Sequence, residues 1–290
     1  MKPFWKSGVL GINRRNIEYV FALNPRERFP LADDKLESKT LLERAGLPVP
    51  QTLGVVRERS EIRGTLDALA TEAEFVVKPA RGFGGQGVLL LRRHEGAWRT
   101  PSGRLLGHDE VTFHMAGILS GMFSLDHLQD CVLIEERLED LPLLSELHGG
   151  RGVSDLRVII ADSRPVMAML RLPSKRSGGS ANLHQGGVGV GVDISTGETT
   201  TALCESRLVE SHPDSGVPLA GLTIPDWPAV LDICRPVNQV FGMGYLGVDV
   251  VMDVEHGPVI LEVNVRPGLS VQLANRMGLR GPLQGGEELR

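Results

Sequence analysis

Near the C-terminus, Gly247-Val-Asp249-Val-Val-Met-Asp253 and Leu261-Glu262-Val-Asn264-Val-Arg266-Pro-Gly268 are two apolar, β-branched runs interrupted by carboxylate and amide side chains. The intervening Glu255-His256-Gly257-Pro258 is a turn signal, so the pair predicts a β-hairpin. Folding about the midpoint between Glu255 and His256 sets Asp249 opposite Glu262. Two-residue periodicity then puts Asn264 on the same face as Glu262. Carboxylates directly across a sheet repel each other, and burying them unpaired among valines is costly. A hard divalent cation relieves both penalties, and Asp, Glu and Asn supply the oxygen ligands that Mg²⁺ or Mn²⁺ accepts. Any one of these residues alone fits a hairpin with a polar, wet face; three converging oxygen ligands favour a metal site.

Composition narrows the function classes. The 290 residues allow a large core and more than one lobe. With 31 Lys and Arg against 36 Asp and Glu, the net charge of −5 gives no electrostatic footprint for nucleic acid. No apolar stretch approaches membrane-spanning length, and the N-terminus lacks the apolar core of a signal peptide. The three cysteines, Cys131, Cys204 and Cys234, have no paired spacing for zinc or a disulfide framework. Each reads as a small buried hydrophobe. The expected location is the cytoplasm.

Along the chain, residues 1–32 suggest a short helix or two and an extended arm. Asp33-Asp34 predicts the cap of a helix running to about Ala45, ended by Gly46. A helix is expected over 58–72, strands over 74–78 and 88–92, and a helix around 113–125 within 108–129. A further strand covers 131–136. Residues 156–160 and 165–171 predict a hairpin over Asp162-Ser163. The Gly/Ser-rich stretch 173–191 is too long for a simple connector and becomes a functional candidate. Residues 226–243 suit one helix, and a loose tail is expected after about residue 280.

Gly82-Phe-Gly84-Gly85-Gln86-Gly87 matches G-x-G-x-x-G, but its context excludes the common readings. A dinucleotide fingerprint requires a following helix, and here an apolar strand follows. The Gly-Lys-Ser/Thr ending of a P-loop and the His-Arg-Asp and Asp-Phe-Gly triplets of a protein kinase are missing. What remains is a lysine at a strand end followed by a glycine-rich hairpin tip. Backbone N–H groups of such a tip can wrap phosphate oxygens, and Lys78 can place a positive charge on an inner phosphate. A flexible tip beside a snorkelling surface lysine is the plainer alternative.

These features occur together with Asp34-Lys35, Lys39, Val77-Lys78-Pro79, Leu133-Ile-Glu135-Glu136-Arg-Leu138, Asp155-Leu-Arg157 and Ser180-Ala-Asn182-Leu-His184-Gln-Gly-Gly187. In this order they resemble the ATP-grasp ligases over about residues 30–275, above all the ribosomal-protein-S6 glutamate ligase branch and its alpha-L-glutamate ligase-like proteins. The resemblance implies an α+β ATP-grasp fold with two α+β lobes clamping ATP. It divides the chain into an N-terminal arm (1–32), a first lobe with the Gly-rich hairpin (33–134), a second lobe with the metal site (135–280) and a tail (281–290). Only about thirty residues precede Asp33, so the full N-terminal domain of many such ligases is not expected. The resemblance places Lys39, Lys78 and the loop glycines Gly82, Gly84, Gly85 and Gly87 on ATP phosphates. Glu135, Glu136 and Leu138 line the adenine pocket, the last two through backbone groups. Asp249, Glu262 and Asn264 ligate Mg²⁺ (or Mn²⁺), while Arg157, Arg171, Asn182 and Arg266 face the γ-phosphate and an acyl-phosphate.

The implied activity is ATP- and Mg²⁺-dependent carboxylate–amine ligation, adding an amino acid such as glutamate to a peptide, protein or small acid. A small-molecule kinase and a non-enzymatic nucleotide-binding protein are the alternatives. Expected partners are ATP and the amino-acid and carboxylate substrates; a peptide or protein acceptor and a homo-oligomer stay open, with no nucleic acid and no membrane span. Two departures bear on substrate. Ser180 stands where the branch carries an arginine, with Lys175 or Arg176 as replacements. The ribose-binding acid is open among Glu139, Asp140 and Glu146.

Overall fold

A computed structural model describes residues 8–82, 84–124 and 129–285. They fall into two compact units. The smaller comprises Asp34–Leu36 and Pro50–Leu138; the larger takes in the described residues up to Asp33, then Glu37–Val49 and the chain from Glu139 onward. This partition differs from the expected boundaries. Residues 37–49 join the larger unit because Leu41, Leu42, Leu47 and Val49 pack in its core. Leu10, Val20, Phe29 and Ala32 lie in that core too, so residues 8–32 form no separate arm. Of the expected arm and tail, residues 1–7 and 286–290 lie outside the described residues, while Leu283 is buried.

Helix α1 (Lys35–Arg44) begins where Asp34 Oδ1 accepts the N–H of Leu36, and ends before Gly46 at φ +71°. The smaller unit is built on six antiparallel strands: β1 (Thr52–Val56), β2 (Glu74–Pro79), β3 (Leu89–His94), β4 (Ala97–Arg99), β5 (Leu105–Leu106) and β6 (Val132–Glu135). Their order is β1-β6-β2-β3-β4-β5. Helices α2 (Ile62–Ala68) and α3 (His108–Leu119) contribute Ile62, Leu66, Val111, Met115 and Ile118 to its core. There they meet Phe75 and Val77 of β2, Leu91 of β3 and Val132 and Ile134 of β6. Strand alternation consequently turns Glu74, Val76 and Lys78 of β2, with Leu133 and Glu135 of β6, to the opposite face. Helix α3 stops at Leu119, short of the expected 125, because the chain turns at Gly121 with φ +81°.

The larger unit carries α4 (Pro142–His148) and seven antiparallel strands. These are β7 (Asp155–Ala161), β8 (Arg164–Leu172), β9 (Val188–Val192), β10 (Thr199–Cys204), β11 (Arg207–Val209), β12 (Tyr245–Asp253) and β13 (Gly257–Asn264). Their order is β11-β10-β9-β8-β7-β12-β13. The helix expected over 226–243 is split into α5 (Trp227–Cys234) and α6 (Val237–Phe241) at Pro236, which has no N–H to carry the ladder through. The β7–β8 hairpin turns at Asp162 and Ser163, both with positive φ, as a two-residue primed turn requires. No helix among the described residues is long and apolar enough to cross a membrane.

Every residue of β12 is buried. Leu246, Val248, Val250 and Met252 enter the core, which leaves Gly247, Asp249, Val251 and Asp253 on the other face. The β12–β13 turn closes with Asp253 opposite Gly257, and Asp253 Oδ1 accepts the N–H groups of Glu255 and His256. The hairpin is thus centred on Glu255, half a residue from the midpoint inferred above. A bulge after the Val250–Ile260 pair absorbs the difference, so Asp249 still faces Glu262 and Gly247 faces Asn264.

Gly257 occupies the left-handed region at φ +71°, and a Cβ added there meets nothing within 4 Å. Gly257→Ala is therefore a purely conformational change. It should lower unfolding free energy by about 1 kcal/mol in denaturant titrations, and Gly257→Asn by less.

Candidate functional site

In the larger unit the site follows from strand register. Arg157 on β7 lies directly opposite Asp249 on β12, Asp249 opposite Glu262 on β13, and Asp155 on β7 opposite Arg171 on β8. Asp249 is 1% exposed, and its carboxylate is encircled by donors. Arg157 binds it through both arms of its fork, Nε to Oδ1 at 2.8 Å and Nη2 to Oδ2 at 2.6 Å. Arg171 Nη2 reaches Oδ2 at 2.7 Å, and Asn264 Nδ2 reaches the same oxygen at 3.2 Å. Arg171 is itself anchored through Nε to Asp155 Oδ1 at 2.5 Å. Burial alone would raise the Asp249 carboxyl, but the two guanidiniums outweigh it and hold the group below the usual carboxylate range. Burial has the upper hand at Asp155, which shares one arginine with Asp249 and is pushed up.

The donor set fits a hard divalent cation: two facing carboxylates and an amide, all able to present oxygen. No three His, Cys, Asp or Glu side chains among the described residues group as a metal site. Both Asp249 oxygens already accept from guanidiniums, which makes a cation and the arginines rivals for one carboxylate.

Beside this row, the Gly/Ser-rich stretch is tied down between β8 and β9. Ser174 Oγ donates to Gly186 O, and Ser174 and Ser177 exchange hydrogen bonds. Asn182 Oδ1 accepts the N–H of His184, capping the short turn Leu183–Gln185. The stretch is also braced from behind. His212, fully buried, donates Nε2–H to Pro173 O, while its Nδ1 faces the N–H groups of Asp214 and Ser215. Asp214 Oδ2 accepts the N–H of Lys175.

The smaller unit holds the glycine loop and its lysine. Gly84, Gly85 and Gly87 all adopt positive φ, and a Cβ at Gly87 would run into the Phe123 ring at 2.7 Å. Lys35 Nζ binds Gly82 O at 2.7 Å, and His114 Nε2 binds Gly87 O at 2.9 Å, so both ends of the loop are pinned. Lys78 Nζ lies 2.5 Å from Glu135 Oε2, both side chains buried. Glu136 exchanges backbone and side-chain hydrogen bonds with Gln51: its N–H goes to Gln51 O at 3.0 Å and its Oε1 accepts Gln51 N–H at 2.6 Å. Leu138 is buried.

Other expected residues are placed differently. Lys39 is buried on α1 within the larger unit. Arg266 stacks its guanidinium over the Phe29 ring at 4.8 Å. The three acids open for the ribose line one open groove of about 470 Å³ in the larger unit. Asp140 is committed there: its oxygens accept from Ser154 N and Oγ and from His148 Nε2, the His148 ring being fixed by Arg151 N–H on Nδ1. Glu139 and Glu146 line the same groove. Sequence reasoning assigned no role to Asp155; its position two residues before Arg157 on a strand was the available signal.

The sequence model of the sugar-transfer associated ATP-grasp family matches residues 14–287. A "Probable alpha-L-glutamate ligase" of Maridesulfovibrio salexigens is 24% identical over 86% of this chain and 61% of its own length. A "Probable alpha-L-glutamate ligase" of Thioalkalivibrio sulfidiphilus is 26% identical over 90% of this chain and 65% of its own length. The chain therefore spans less than two thirds of these curated relatives. Among solved structures, D-cycloserine synthetase DcsG aligns at TM-score 0.51 and 17% identity, covering 90% of this chain and 70% of that one. It shares the fold.

Burial lowers the pKa of His212, which accepts backbone N–H groups in its neutral form. The unfolded chain then takes up the proton first, so this contribution is complete above the ordinary histidine value and is lost as pH falls below about 6.5. His212→Gln should cost about 1 kcal/mol at neutral pH. In denaturant titrations the gap to wild type should narrow as pH is lowered toward about 5, because the variant lacks this proton uptake.

Proposed function

We propose that this chain, which belongs to the sugar-transfer associated ATP-grasp family, is an ATP- and Mg²⁺-dependent carboxylate–amine ligase. The observation that carries the reading is the row Arg157, Asp249, Glu262 with Arg171 and Asn264 beside it: anion-binding forks and oxygen ligands interleaved on one sheet face. In the first step a carboxylate oxygen attacks the γ-phosphorus of ATP; ADP leaves, and the acyl-phosphate keeps the γ-phosphoryl group. In the second, an amine attacks the acyl carbon, the C–O bond to phosphate breaks, and the nitrogen gives up a proton.

The obstacle is electrostatic, since a carboxylate must approach a polyphosphate. Guanidinium forks suit both anions because they bind carboxylate and phosphate bidentately. Arg157 and Arg171 would orient the acid and the transferring group. Lys78, held by Glu135, would meet the phosphates together with the N–H groups of the Gly82–Gly87 loop, and the Glu136 carbonyl and Leu138 would receive the adenine. Bound through Asp249, Glu262 and Asn264, Mg²⁺ would neutralise phosphate charge. We assign Asn182 to support of its own loop and Lys39 to the nucleotide side of α1. Arg266 would reach the acyl-phosphate by leaving the Phe29 ring. The names of the curated relatives support an amino acid such as glutamate as one substrate, with a peptide, protein or small acid as the other.

The test is a screen of amino acids and peptides for ADP release, with product masses measured. ADP and free phosphate should appear only when both an acid and an amine are present, with a product lighter by one water than its parts. A product that keeps the phosphoryl group would make the protein a kinase instead. Asp249→Asn should lower turnover by at least about 10²-fold with the circular dichroism spectrum unchanged; undiminished turnover would refute the metal assignment.

A further inference from the structure

Asp249 is bound as a cation ligand is bound, but by arginines. Three guanidinium nitrogens contact its two oxygens at 2.6–2.8 Å. A divalent cation coordinating the same oxygens competes with them for the lone pairs of one carboxylate. It would also face two positive forks a few ångströms away, a repulsion that little solvent screens at a residue 1% exposed. A polyphosphate changes the balance, because its oxygens can take both forks. Arg171 can make this exchange without leaving the site. Its second anchor, Nε on Asp155 Oδ1, tethers the rigid fork in the site when it turns away from Asp249. Arg157 has both of its contacts to Asp249 to exchange.

Resting on the ligase reading, we propose that Arg157 and Arg171 are place-holders for the cation. They occupy Asp249 in the nucleotide-free protein and yield it only when phosphate oxygens replace it. Cation and nucleotide then bind as one cooperative unit, and the forks that greet the acidic substrate are released only after the nucleotide has arrived. Asp155 is the positioning residue of this device: it makes the release of Arg171 a pivot.

The measurement is the binding of Mn²⁺ alone to metal-stripped full-length protein, read from the spin-resonance signal of free Mn²⁺, with no turnover involved. Arg171→Met and Arg157→Met should each bind Mn²⁺ alone about 10-fold more tightly than wild type, a typical coupling between sites. Asp155→Asn deprives Arg171 of its other anchor and should bind Mn²⁺ alone no better than wild type. In the presence of a non-hydrolysable ATP analogue, wild type should gain affinity and the arginine variants should gain less. Simple damage to the site weakens Mn²⁺ binding, so a gain on removing an arginine is specific to competition. The proposal is overturned if neither arginine variant that keeps the wild-type circular dichroism spectrum binds Mn²⁺ more tightly, or if Asp155→Asn gains as much as they do. Calorimetry with the analogue separates the two readings: no nucleotide binding sinks the ligase, whereas the Mn²⁺-only comparison decides the competition by itself.

Discussion

A carboxylate in the middle of a fully buried strand is the constraint on which the larger unit depends. Asp249 sits between Val248 and Val250, both in the core, and its own face of β12 is also closed to water. Leaving that charge unpaired would be costly, and one partner would hardly suffice for a group with two oxygens to satisfy. The solution spans four adjacent strands, β8, β7, β12 and β13, each contributing a residue to the same patch. Register is consequently specified by charge as well as by hydrophobicity. A slip of one residue on β7 would turn Arg157 into the core and Val158 onto Asp249.

How much of this was legible in the sequence depends on the range of the interaction. The Asp249–Glu262 pair lies within a hairpin, where a turn signal and two-residue alternation determine which side chains meet. The midpoint was half a residue off near the turn, and the bulge restored the pairing at the carboxylates. The hairpin at Asp162-Ser163 and the strand–loop–strand around Lys78 were legible for the same local reason. That β7 lies beside β12 was not, because nothing in either strand names its neighbour. The arginines could therefore be assigned to an anion but not to Asp249. The pairing of Asp155 with Arg171 and of Glu135 with Lys78 escaped for the same reason, since each acid meets a basic residue on a neighbouring strand.

The partition of the chain escaped for a related reason. Helix α1 reads as a single element after a capping aspartate, yet its first residues cluster with one unit and Leu41 and Leu42 with the core of the other. Propensity describes where a helix starts and stops, while core membership depends on partners far along the chain. Lys39 was placed by motif order in the first lobe and lies in the larger unit because of those leucines.

Both units answer the same physical difficulty in the same way. Lys78 is buried against Glu135, and the forks of Arg157 and Arg171 are buried against Asp249 and Asp155. A buried cation needs an anionic partner, and a buried acid needs a cationic one. Arginine suits the second task better than lysine, because Arg171 can divide its rigid set of donors between two carboxylates at once. An ammonium has three donors but gathers them on one nitrogen, so it would have to draw both acids to a single point. The consequence is a site whose charges can be exchanged but not removed. Deleting Arg171, for example, strips Asp155 of its guanidinium, a loss of up to about 3–5 kcal/mol. An incoming ligand of matching charge meets no such penalty, since it takes over the contact it breaks.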